Sequence, residues 1–140
     1  MNNETKTNHL QMIQNIITRM ASNSFALKGW AVTIIAGIFA LSGKENNPVY
    51  CLVSLISTIT FWLLDSYYLQ QERLYRSLYK DVQQGKKEAD FSMEATVKLY
   101  PEEENKYKHC AWANTEKYFY IPLVAACFVV TFLKIVFENT

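Results

Sequence analysis

Charge is withheld from three stretches of the chain: 15 residues from Gly29 to Gly43, 19 from Asn46 to Leu64 and 16 from Tyr118 to Leu133. A helix needs about 20 mostly apolar residues to cross the roughly 30 Å hydrocarbon layer. Extended to the nearest interfacial residues, these stretches predict three transmembrane helices, at 25–42, 48–69 and 118–138. Lys28 and Lys134 lie near span ends, where a long stem can return the ammonium to the headgroups. Trp30, Trp62, Tyr67, Tyr68, Tyr118 and Tyr120 also cluster near the span ends, as rings that are half in lipid and half in water do. The short polar segment 43–47 (GKENN) predicts a tight hairpin between the first two spans. Two rivals are a soluble bundle with very apolar core helices and a cleaved leader in place of the first span. The leader fits poorly, because 28 residues precede the charge-free part and a second span follows at once.

Ahead of the first span, Leu10, Ile13, Ile17 and Met20 recur every three or four residues, which predicts an amphipathic helix within 1–24. Asn8 is its expected cap, and Ser22-Asn23-Ser24 the expected bend before the membrane. Such a helix either packs on the polar module, or lies at the membrane interface or plugs an assembly. After Trp62 the pattern continues without a breaker, so the second span should run on as one helix and stop near Gly85. Leu64, Tyr67, Gln71, Leu74, Leu78 and Val82 form its expected inner stripe, and Glu72 and Arg76 an i,i+4 pair. Residues 86–100 permit either a short strand or a helical turn capped by Ser92. A helix from about Pro101, with three acids in its first turn, should lead into the third span, where Pro122 either kinks or ends a preceding helix. The expected fold is an all-α membrane protein: an amphipathic helix (1–24), a transmembrane hairpin (25–69), a mainly helical cytoplasmic module (70–117) and a third span (118–138).

Composition alone conceals this division. The 140 residues are 50% hydrophobic and 19% charged, with a net charge of +1, which argues against a disordered chain and a uniformly basic coat for duplex nucleic acid. A mean hydropathy of -0.06 averages apolar spans with a charged remainder. Eleven Lys and Arg fall in 1–24 and 70–117, so the positive-inside rule predicts a cytoplasmic N-terminus and an outward C-terminus. Cys51 and Cys127 lie within spans and Cys110 outside them, so no disulfide framework is expected.

No catalytic constellation emerges. The two histidines, His9 and His109, lack metal-ligand spacing, and the four glycines are too scattered for a phosphate loop. Neither enzymatic activity nor a metal or cofactor is expected. Arg73, Arg76 and Lys80, with Tyr75 and Tyr79 interleaved, form either a solvated helix face or a surface for anions and stacked bases. Gly29, Thr33 and Gly37 place small residues on one face of the first span, where a neighbouring helix could approach closely. Ser54, Ser57 and Thr58 in the second span either bond back to helix carbonyls or line a water-filled pore. Three short helices enclose no channel alone, so a pore requires a homo-oligomer.

Two stretches, NHLQMIQNIITRMASNSFALKGWAV at 8–32 and FWLLDSYYLQQERLYRSLYKDV at 61–82, resemble small bacterial membrane effectors encoded beside nucleotidyltransferases in anti-phage defence operons of the Hailong type. The similarity covers about a third of the chain and contains no diagnostic catalytic motif. It implies an oligomeric inner-membrane pore, controlled by an oligonucleotide from the neighbouring transferase, whose opening depolarises an infected cell. A different class of function is a non-conducting adaptor that docks a soluble partner through residues 65–117.

Overall fold

The computed structural model of the protein describes residues 3–43 and 47–138, apart from the side chain of Glu138, and all its regular structure is helical. Lys44 and most of the expected hairpin turn lie outside the described residues. The elements are α1 (Asn3–Ser42), α2 (Val49–Gln83), a 3₁₀ turn (Glu103–Asn105), α3 (Tyr107–Ala111) and α4 (Asn114–Glu138). Three of these, α1, α2 and α4, are long and apolar enough to cross a membrane. At 1.5 Å per residue, α1 is about 60 Å long and α2 about 50 Å, so each extends well beyond a bilayer core.

Neither the predicted cap nor the predicted bend interrupts α1. The helix is already formed upstream of Asn8, where the Thr7 hydroxyl donates to the Asn3 carbonyl (2.9 Å). It then runs unbroken through Ser22-Asn23-Ser24. Serine disfavours a helix interior when its hydroxyl competes for local backbone groups. Ser24 instead donates across to Asp65 on α2, so its local signal never becomes a break.

The charged half of the protein has a conventional core. Ile13 and Ile17 of α1 pack against Leu74, Leu78 and Val82 of α2, all at most 3% exposed. Ile13 and Ile17 of the α1 stripe, with Leu10 partly buried beside them, thus pack on α2. Gly85, at φ 71°, adopts the left-handed conformation that ends helices and releases the chain from α2 close to the predicted stop. Residues 86–100 are neither strand nor helix: they form an irregular strap that buries Ala89, Ala95 and Tyr100 on this core. His9 Nε2 lies 3.1 Å from the Ser92 carbonyl, and its ring packs at 5.6 Å on Phe91. The continuous helix expected from Pro101 is also replaced, by the 3₁₀ turn and the five-residue α3, and α4 begins afresh at Asn114. Asn105, buried at the turn, accounts for the break. Its side-chain amide bonds Ser77 Oγ (3.2 Å), the Tyr100 carbonyl (3.2 Å) and Glu102 Oε2 (3.0 Å), folding the segment back onto α2. Pro122 sits inside α4, which continues through it.

The apolar half is arranged the other way round. Phe25, Leu41, Leu52, Phe128, Phe132 and Phe137 are exposed, while Ser54, Thr58, Asp65 and Ser66 are buried. Leu64 and Tyr67, expected on the inner stripe of α2, face outward, and Asp65 and Ser66 take the inner positions. Only 11%, 22% and 11% of the apolar windows of α1, α2 and α4 are buried within the protein. A water-soluble single chain would hide those windows, so their exposure fits membrane-spanning helices.

Candidate functional site

Two polar features stand out, one in each half of the molecule. The first is a cleft of ≈ 450 Å³ between α1, α2 and the 3₁₀ turn. Arg73, Arg76 and Lys80 share its wall because α2 continues as a helix, where spacings of three and four residues keep side chains on one face. Gln14 of α1, Gln83 of α2 and Asn105 of the turn add polar groups around them.

The three bases are held differently. Arg73 is pinned, donating to the Glu104 carbonyl (2.7 Å) and lying 3.8 Å from Cys110 Sγ. Arg76 makes the expected pair with Glu72 (2.7 Å) at a well-exposed position, where such pairs contribute only a few tenths of a kcal/mol. Lys80 is exposed and makes no ion pair among the described residues. Of the two tyrosines expected beside them, Tyr79 lines the cleft and Tyr75 does not. Tyr75 and Tyr79 both pack against the core, and only Tyr79 also reaches the cleft. Burial pushes the Cys110 thiol above its ordinary pKa, while the neighbouring Arg73 pulls it down by less. Cys110 is therefore a packed thiol and not an activated one.

The second feature lies where α1, α2 and α4 meet in the apolar half. Lys28 pairs with Asp65 and, at 3.0 Å, with Glu116. Asp65 also accepts from Ser24 and from the Tyr120 hydroxyl (2.9 Å). Asp65 and Glu116 are 0% and 1% exposed. Lys28 thus turns inward to two carboxylates, contrary to the expectation that it would reach for the headgroups. Lys134 turns inward too, donating to the carbonyl and hydroxyl of Ser42 at the end of α1, where a cation suits the helix dipole.

The sequence reading missed this cluster. An acid within a span and a lysine in its neighbour were the available signal, since charges are expensive in hydrocarbon and seldom stand alone there. In sequence Asp65 reads as part of the span edge, because Tyr67 and Tyr68 follow it closely. Glu116 gives no such signal, being one of many acids outside the spans.

The other candidate positions divide between inside and outside. Ser54 and Thr58 are fully buried, and their hydroxyls donate to the carbonyls of Cys51 and Ser54 (both 2.8 Å). In the single chain they pack helices and line no open lumen, and Ser57 is half-buried beside them. Gly29, Thr33 and Gly37 face outward, and a Cβ added at either glycine would meet nothing within 4 Å. The small-residue face is thus unused within one chain. All three cysteines are free.

Comparison with family models, with characterised proteins and with solved structures finds no match.

Proposed function

We propose that the chain is one subunit of an oligomeric pore in the bacterial inner membrane, an anti-phage effector controlled by an oligonucleotide and acting by depolarisation. One observation carries this reading: Arg73, Arg76 and Lys80 converge on a cleft whose walls belong to α1 and α2, the same unbroken helices that supply two of the spans. A polyanion that drew the bases together would push on two long levers and so on the packing between spans. Phosphates would meet Lys80 and Arg76 first, the less constrained bases, and one base could stack on Tyr79. The outward face of Gly29, Thr33 and Gly37 supplies a surface on which a second copy can pack. In this reading the cleft and the N-terminus are cytoplasmic and the C-terminus is outside, which the bias of Lys and Arg toward 1–24 and 70–117 supports.

The test joins binding to conduction. Short oligoadenylates serve as probes for the detergent-purified protein, and a potential-sensitive dye reports on phage-challenged bacterial cells. The reading expects binding that falls at least tenfold when Arg73, Arg76 and Lys80 are all changed to alanine, with the membrane potential then preserved. It fails if the triple variant binds equally well, if the wild type never depolarises cells, or if the purified protein is a monomer. A second reading, the non-conducting adaptor, rests on the exposed Leu99 and Trp112 within 65–117. It expects unchanged membrane potential under every condition.

A further inference from the structure

The short helix α3 is docked at a defined depth. Tyr107 donates its hydroxyl to the Leu63 carbonyl (2.8 Å), and Trp62 donates its indole N–H to the Ala111 carbonyl (2.9 Å). Both partners on α2 lie at the end of the charge-free stretch that runs from Asn46 to Leu64. The helix therefore sits where the apolar half meets the charged half, the level at which a membrane changes from acyl chain to headgroup. Trp112, which caps α3, packs edge-on against Trp62 at 5.6 Å and still leaves 64% of its surface exposed. Tyr118, one turn into α4, is 73% exposed.

Cations stand beside these two rings. Lys108 precedes Trp112 by one helical turn, and the Trp112 N–H bonds to the Lys108 carbonyl (3.3 Å), so the two side chains leave α3 on the same face. Lys117 places its ammonium 5.3 Å from the centre of the Tyr118 ring. Lys108 is exposed and Lys117 half-buried, and neither makes an ion pair among the described residues. The acids of the segment are engaged elsewhere: Glu102 accepts from Asn105 (3.0 Å), Glu103 pairs with Lys106, and Glu104 lines the cleft. Wide aromatic rings at the end of a span, flanked by cations that lack an anion, match a layer of phosphate esters over acyl chains.

We propose that Lys108, Trp112, Lys117 and Tyr118 form a docking surface for anionic phospholipid: the two ammonium groups meet headgroup phosphates, and the two rings lie at the ester level above the acyl chains. The inference is independent of the pore reading and asks only that α1, α2 and α4 cross a membrane. It gives Trp112 a use other than the soluble partner that the adaptor reading assigns to it.

The test reconstitutes the full chain in vesicles of phosphatidylcholine and phosphatidylglycerol in equal proportion, with the acyl chains of one lipid at a time brominated near the ester. Bromine quenches tryptophan fluorescence only at close contact. The quenching that disappears on Trp112→Phe is the share of Trp112, and Trp30 and Trp62 supply the background. For that share, brominated phosphatidylglycerol is expected to quench about threefold more than brominated phosphatidylcholine, since each cation near the surface favours an anionic lipid. Lys108→Gln with Lys117→Gln is expected to bring the two lipids level, whereas Lys108→Arg with Lys117→Arg keeps the preference. High salt is expected to weaken it, because charges within reach of water are screened. Equal quenching of Trp112 by the two lipids in the wild type overturns the proposal. So does a preference that survives glutamine at both lysines, or one that is lost with arginine. If neither lipid quenches Trp112, the ring stands clear of the membrane and the surface is left to a soluble partner, which also overturns it.

Discussion

Arg73, Arg76 and Lys80 on one side, and Lys28, Asp65 and Glu116 on the other, are both sets of three charges held near long helices, yet solvent treats them in opposite ways. The cleft bases are like charges within reach of water. They repel weakly, stay hydrated and remain available to a ligand, and only Arg73 is tied to the backbone. The charges of the inner cluster are opposite: both carboxylates are buried, and the Lys28 side chain is 19% exposed. They are committed to one another, and removing Lys28 would strand both carboxylates. The same residue types therefore make a hydrated surface in one half and an internal fastening in the other.

The sharpest way to break this comparison is Asp65→Ala. It leaves Lys28 with one carboxylate and takes the acceptor from Ser24 and Tyr120, so unfolding in detergent should show a loss of about 3–5 kcal/mol. A loss as small as that from a cleft substitution would mean that water reaches the cluster. Leu78→Ala, at a fully buried position in the charged half, should cost about 2–5 kcal/mol through the cavity it leaves. That would show the apolar core and the charged fastening to be of comparable weight. In the cleft, alanine at both Arg76 and Lys80 should lower stability by less than about 1 kcal/mol, because surface charges contribute little. The same change should flatten the salt dependence of oligoadenylate binding by roughly 1.4 in log–log slope, at about 0.7 per lost phosphate contact. Binding measured across a salt series checks both the affinity and the slope.

The smallest expected effect concerns Cys110. Since burial raises its pKa above the ordinary thiol value, its thiolate fraction at mildly alkaline pH is below that of a free cysteine. Its alkylation at pH 8 should therefore be slower than in the denatured chain, and should speed up as pH rises further. Replacing Arg73 by methionine removes the opposing influence and should slow the reaction more. Alkylation as fast as in a free peptide would show that the Arg73 side of the cleft opens to solvent.

The three spans, the continuation of α2 to Gly85 and the Glu72–Arg76 pair were legible because each depends on short-range pattern: apolar run length, helical spacing and a terminating glycine. The alignment of Arg73, Arg76 and Lys80 was legible for the same reason. The strap at 86–100 was not, because Ala89, Ala95 and Tyr100 are placed by a core that α1 contributes from far away in sequence. The inner stripe of α2 was misjudged around Leu64 and Tyr67 by a rule that belongs to water. In lipid the apolar side chains face outward, and the polar ones that cannot reach water turn toward each other.

Sequence by itself determined the division of this chain into apolar helices and a charged remainder, since the run lengths and periodicities that encode it lie within a few turns of helix. Tertiary structure alone decided that Ser24 would not break α1, that Tyr75 would leave the cleft to Tyr79, and that Lys28, Asp65 and Glu116 would meet. Those three residues are 37 to 88 positions apart, and no local preference joins them. Only the packing of the three helices brings them together, and their pairing offsets the cost of burying each charge alone.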